Sequence, residues 1–168
     1  MKIKSIILFS FLLFSIQPVK AATYDILGGT FHAPFWSAEP TILTSSEQLI
    51  DGEYSGRFDD FIFCGCPTTT YFSPTGVDGV NHPAPTIDLD AGIADMTSFY
   101  AFWNGTESNQ GGMAVINSNL DGTYTLSWDK LLVGGPFDGF TIYWTMDIRP
   151  VPLPAAFLAN GFGSGWTI

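Results

Sequence analysis

The stretch Phe140-Thr141-Ile142-Tyr143-Trp144-Thr145-Met146-Asp147-Ile148 alternates large apolar side chains with mostly polar ones. A period of two is that of an extended strand, whose successive side chains point to opposite faces. It sets Phe140, Ile142, Trp144, Met146 and Ile148 against a core, and Thr141, Tyr143, Thr145 and Asp147 toward solvent. A strand with one wet face belongs to an antiparallel sheet. The residues just before it supply a hairpin. Residues 113–117 and 123–128 flank Asn119-Leu120-Asp121-Gly122, where Asp-Gly provides the positive φ of a tight turn. In the second arm Tyr124, Leu126 and Trp128 share one face, opposite Thr123, Thr125 and Ser127.

Further upstream, residues 96–103 form a denser apolar strand that ends at Asn104-Gly105, with a polar loop running on through Gln110-Gly111-Gly112. Ile87 and Leu89 alternate with Asp88 and Asp90 in another short strand, and residues 24–27, 30–32, 49–54 and 58–63 are weaker candidates. Residues 64–85, rich in Pro, Gly, Thr and Ser, read as loop. Helical periodicity is confined to the first residues. The 18 Gly and 11 Pro are scattered, as in a chain of short strands joined by turns. Aromatic content of 15% within 46% hydrophobic residues supports a real core and argues against disorder. The expected fold is all-β: a single antiparallel β-sandwich or jelly-roll-like domain over residues 22–149, with about seven to nine strands.

An N-terminal signal helix precedes that domain. Lys2 and Lys4 open it, an apolar run follows over residues 6–14, Pro18 ends the helix, and Val19-Lys20-Ala21 fits a signal peptidase. The signal peptide spans residues 1–21, with cleavage between Ala21 and Ala22. Its apolar run falls short of the ~20 residues a membrane span needs. Lys2, Lys4 and Lys20 leave with it, so Arg57, Lys130 and Arg149 face 16 acidic side chains, a formal charge of −13. Such a surface argues against nucleic acid and anionic lipid as partners, because no basic patch releases phosphate counterions. It favours solubility, which is the first reading of the acidity; no cofactor is expected, with calcium, drawn to the acidic surface, as the alternative.

Four constellations bear on chemistry. Cys64-Gly65-Cys66 is the only cysteine pair. In an exported chain a small disulfide ranks first, free thiols second and a metal site third. Residues two apart in an extended strand are too distant for a bridge, so a turn at Gly65 is required. Asp88-Leu89-Asp90, followed by Asp95, suggests a calcium loop, but Phe99 holds the twelfth position where an acid is needed, and the acids read as the wet row of a strand. No Gly-x-Ser-x-Gly occurs, His82 precedes Pro83 in a turn-like stretch, and no carboxylate pair is singled out, so no catalytic residue is assigned and an enzyme is not expected. Among the aromatics, Trp128 and Trp144 fall on apolar rows and read as core. Tyr143 faces the other way and is the candidate glycan contact. Asn104-Gly105-Thr106 fits a glycosylation sequon but reads as a turn.

One resemblance adds an address. Val151-Pro152-Leu153-Pro154-Ala155 resembles the opening of the VPLPA variant of the PEP-CTERM sorting signals of exopolysaccharide-producing bacteria. Phe102-Trp103-Asn104-Gly105-Thr106, Asn109-Gln110-Gly111-Gly112 and the stretch from Asp121 to Trp128 are similar to segments of small VPLPA-tailed exported proteins. The resemblance implies export, temporary retention by a C-terminal helix, exosortase processing, and release to the outer surface or extracellular matrix. The sorting segment, residues 150–168, departs from the family pattern. The stretch after Ala155 is too short and Gly-rich to span a bilayer, and no Lys or Arg occurs beyond Arg149. A one-base frameshift at Phe157 is the hypothesis for this departure: in one chosen back-translation of residues 157–168, deleting a single T gives an apolar run. As written, the tail predicts a soluble secreted product. The first functional expectation is a non-catalytic surface or matrix protein associating through an acidic, cation-bridged face. The alternative is a carbohydrate-binding module using exposed aromatics, and a glycan hydrolase stands third. Signal peptidase, exosortase and exopolysaccharide are the implied partners.

Overall fold

A computed structural model of the protein describes residues 21–152. The expectations placed on residues 1–20, on Leu153, Pro154 and Ala155, and on the tail with its frameshift lie outside the described residues. From the N-terminus the strands are β1 (Thr23–His32), β2 (Thr41–Leu43), β3 (Gln48–Ile50), β4 (Phe61–Phe63), β5 (Cys66–Phe72) and β6 (Thr86–Asp88). They continue with β7 (Ile93–Asp95), β8 (Phe99–Trp103), β9 (Thr106–Asn109), β10 (Met113–Ser118), β11 (Tyr124–Leu131) and β12 (Thr141–Pro150). A 3₁₀ turn, Gly135–Phe137, lies between the last two. Among the described residues no helix is long and apolar enough to cross a membrane.

Two antiparallel sheets pack face to face, so the all-β sandwich expectation holds. The larger, of eight strands, runs β2-β1-β12-β11-β10-β7-β6, with β3 beside β2 along β1. The smaller runs β4-β5-β8-β9. The alternation that announced β12 is realised: Ile142, Trp144, Met146 and Ile148 are buried, while Tyr143 is 47% exposed. Phe140 departs from the expectation. It lies before the strand, is half exposed, and rests on Phe35 with ring centroids 4.5 Å apart. Trp144 is the hub between the sheets. Its ring stacks on Trp128 of β11, its cross-strand partner, at 6.3 Å, and meets Phe31 at 4.6 Å and Phe99 of the small sheet at 5.2 Å.

Three local departures have clear causes. The two weak front strands are one, β1, whose register slips between Ile26 and Gly28. A Cβ on Gly28 would sit 2.6 Å from the Leu43 carbonyl oxygen and one on Gly29 2.0 Å from that of Thr145, so only glycine fits this bulge. Within the supposed loop, residues 66–72 form β5. Its Thr68, Thr70 and Phe72 point inward, and the Thr70 hydroxyl accepts the Phe58 N–H at 3.1 Å. A threonine row hides the period that leucine or valine would have displayed. Leu89 and Asp90, expected in a strand, instead follow β6 in a turn.

Cys64-Gly65 and Asn104-Gly105 are the two-residue loops of the β4–β5 and β8–β9 hairpins. Their φ values, 48° and 78°, then 48° and 77°, are positive throughout, as a type I′ turn requires. The sequon reading of Asn104 as a turn therefore agrees with the fold. At the other end of the sandwich the start of β1 meets the end of β12: Tyr24 pairs with Pro150, and the Val151 N–H donates to the Thr23 carbonyl at 2.9 Å.

Candidate functional site

At the pole opposite the start of β1 and the end of β12, where Leu131 pairs with Thr141, the two sheets leave a cleft of about 680 Å³ between them. Phe31 and Trp144 line it from the large sheet, and Phe61, Phe63 and Trp103 from the small one. Phe137, carried on the 3₁₀ turn, closes the aromatic wall. Its ring lies 5.5 Å from Trp103, 5.8 Å from Phe63 and 5.1 Å from Phe35. Trp103 is fixed by donating its indole N–H to the Phe63 carbonyl at 2.8 Å. The turn that holds Phe137 depends on glycine: Gly134, Gly135 and Gly139 all take φ between 71° and 82°. The Asp138 carboxylate pins it by accepting the Gly134 N–H at 2.6 Å.

The rest of the rim is polar. Glu107 and Asn109 come from β9, Asp78 from the β5–β6 connection, and Lys130 from β11. The connection is seated on Tyr100, so tightly that a Cβ on Gly76 would fall 2.0 Å from the tyrosine ring. Asp78 accepts the Tyr100 hydroxyl at 3.0 Å and the Val80 N–H at 3.1 Å, and faces His82 Nε2 at 2.9 Å. Burial pushes its carboxyl up, but hydrogen bonds from His82, Val80 and Tyr100 outweigh this and hold it below the usual carboxylate range. Glu107 accepts the Tyr71 hydroxyl and, at 2.6 Å, the Val77 N–H. Burial, together with that bond and the Glu107 charge, raises the Tyr71 phenol well above the tyrosine range.

Lys130 completes the rim. Its ammonium donates to Asn109 Oδ1 at 2.7 Å and to the Gly111 carbonyl at 3.2 Å. Burial pulls its pKa below the ordinary lysine value, the nearby Asp78 charge opposing. Among the described residues, four buried side-chain polar atoms lack a protein partner. Thr68 Oγ1, Gln110 Oε1 and Trp144 Nε1, three of the four, belong to residues of the cleft wall. Such an arrangement suits binding: aromatic faces on one side, and on the other hydrogen-bonding groups held in place by their own partners.

Most residues singled out from sequence lie elsewhere. Tyr143 is exposed as expected, but on the outer face of the large sheet beside His32, with ring centroids 6.2 Å apart and outside the cleft lining. Trp128 and Trp144 are core, as their rows required. Cys64 and Cys66 are not bridged in this structure; the turn at Gly65 that a bridge requires is present, as the loop of the β4–β5 hairpin. Burial raises the Cys64 thiol, with Cys66 adding to the effect. Asp88 caps its turn by accepting the Ala91 N–H at 2.8 Å, and Asp95 accepts the N–H and hydroxyl of Thr97. Among the described residues no group of three or more His, Cys, Asp and Glu side chains is placed to hold a metal ion. Ala21 and Ala22 lead into β1, and Val151 and Pro152 come directly after β12.

The residues that sequence reasoning missed are Asp78, Glu107, Asn109, Lys130 and Phe137. Two signals were available for the last pair. Lys130 is the only lysine after Lys20, and Gly134-Gly135-Pro136 announces a specialised turn before Phe137. No family model, curated protein or solved structure matches the chain.

Proposed function

We propose that this chain is an exported, non-catalytic β-sandwich that binds glycan in the cleft between its sheets and so associates with the cell surface or exopolysaccharide matrix. The observation that carries the reading is the cleft itself. Its volume of about 680 Å³ lies in the range of small-molecule sites, ~300–1,000 Å³. A pyranose has an apolar C–H face and a hydroxyl edge. Trp103 and Phe137 offer surfaces for the first, and Asn109, Glu107 and Lys130 offer partners for the second. Export rests on the leader and on Val151-Pro152, the beginning of the sorting motif. The topology supports presentation. Strand β12 carries the chain from Ile142 at the cleft to Pro150 at the opposite pole, a rise of ~26 Å at ~3.3 Å per residue. A chain held by its C-terminal end therefore directs the cleft away from the anchor. Divalent cations such as calcium would bridge the acidic surface to anionic matrix.

Affinity electrophoresis through gels cast with neutral and acidic polysaccharides tests the proposal. Retardation should occur with at least one glycan, be lost in Trp103→Ala and Phe137→Ala, and survive in Tyr143→Ala. Migration unaffected by every glycan would refute glycan binding. Loss in Tyr143→Ala alone would move the site to the outer sheet face.

A further inference from the structure

Resting on that glycan-binding reading, we infer that the cleft is specific for a sugar bearing a single carboxylate, a uronic acid residue within an otherwise neutral glycan, and that Lys130 receives the carboxylate. The domain has three Arg and Lys side chains among its described residues, and two have acidic partners. Arg57 reaches Glu47 at 3.3 Å and Asp60 at 3.6 Å, and Arg149 reaches Asp25 at 3.7 Å. Lys130 has no carboxylate within ion-pair distance among the described residues. It is also the most sheltered of the three, half-buried at the cleft rim where removal from water disfavours its charge. An ammonium has three protons to donate. Two are committed to neutral acceptors, Asn109 Oδ1 and the Gly111 carbonyl, which aim the amine without neutralising it.

The two carboxylates of the rim are occupied. Glu107 holds Tyr71 and the Val77 N–H, and Asp78 holds Tyr100, the Val80 N–H and His82. These donors leave both carboxylates charged, but Lys130 is the only Lys or Arg among the described residues lining the cleft, so an anion entering it has that one ammonium to pair with, in a chain that is strongly acidic as a whole. That contrast limits the ligand. A polyanion meets net repulsion across the surface, whereas one carboxylate placed within a few ångström of Lys130 gains a sheltered charge-assisted hydrogen bond. Surface charges more than ~8 Å away are screened at physiological salt. The uronate ring then lies against the aromatic wall at Trp103 and Phe137.

The test compares two probes by isothermal titration calorimetry. One is a neutral disaccharide extended by a glucuronate residue; the other is the same trisaccharide with its carboxylate reduced to the alcohol. The native chain is expected to bind the uronate form at least tenfold more tightly. Lys130→Met should reduce that ratio to near one, and Lys130→Arg should keep most of it. Equal affinity of the native chain for both probes overturns the inference and leaves glycan binding standing. A preference that persists in Lys130→Met overturns the role of Lys130. Binding of neither probe removes both this inference and the cleft reading. The native-chain comparison decides the carboxylate question even if Lys130→Met fails to fold.

Discussion

Replacing Trp144 and its neighbour Tyr143 by alanine, one at a time, tests the inward and outward rows of β12. Trp144 is 1% exposed and lies at the meeting point of Phe31, Phe58, Phe61, Phe99 and Trp128. A tryptophan of this kind removes up to ~250 Å² from water, worth ~4–6 kcal/mol at ~25 cal/mol per Å². Large aromatic deletions in cores cost ~3–5 kcal/mol. The Trp144 indole N–H has no protein partner, so its removal breaks no hydrogen bond within the protein. The expected loss is therefore about 3–5 kcal/mol, a large share of the ~5–15 kcal/mol that holds an ordinary domain together. Tyr143, 47% exposed with its ring centroid 6.2 Å from that of His32, should cost about 1 kcal/mol or less. Urea denaturation followed by far-ultraviolet circular dichroism is the suitable assay, since one variant lacks a fluorophore. A Trp144→Ala loss under about 1 kcal/mol, or a Tyr143→Ala loss equal to it, would refute the assignment of faces.

The same geometry sets two more outcomes. Gly29→Ala places a methyl 2.0 Å from the Thr145 carbonyl oxygen across the central β1–β12 pair, and should lower stability by at least about 2 kcal/mol; an unchanged urea midpoint would show that the strands are not so close there. Tyr24, Tyr71 and Tyr100 all have phenol pKa values raised above 10.0, so the folded state holds their protons more tightly than the unfolded chain. Their contribution is complete below pH 10 and is lost as pH climbs through the raised values, while Lys130, with its lowered pKa, acts in the opposite sense. The rise at Tyr71 is the large one among these shifts, so urea midpoints should fall as pH rises above about 10, and less steeply in Tyr71→Phe. A midpoint that stays level or rises there would contradict this.

What the sequence displays of the fold, it displays where a period is local. Strand β12 and the β10–β11 hairpin were readable because one wet face and one dry face impose a two-residue alternation on the chain itself, and because Gly122 marks the turn with a φ of 82°. Strand β5 was not, since Thr68 and Thr70 occupy inward positions with side chains that look polar in isolation. Strand β1 looked broken because Gly28-Gly29, read as an interruption, is a bulge inside a continuous strand. The polar β9, Thr106–Asn109, looked like loop and is an edge of the small sheet. Its charge and brevity suit an edge, where an apolar strand would invite aggregation.

By itself, the sequence determined the all-β class, the rows of the strongest strands, the burial of Trp128 and Trp144, and the exposure of Tyr143. Each of these follows from backbone geometry acting over a few residues. Only the tertiary structure decided where a ligand fits. The cleft draws Phe31, Trp103, Lys130, Phe137 and Trp144 from separate strands and a loop, and exists because two sheets fail to close at one pole. Tyr143 and Trp144 adjoin in sequence yet lie on opposite sides of a sheet, so local reading could name an exposed aromatic but not a binding surface. A cleft is set by the sum of long-range contacts, and no single segment encodes it.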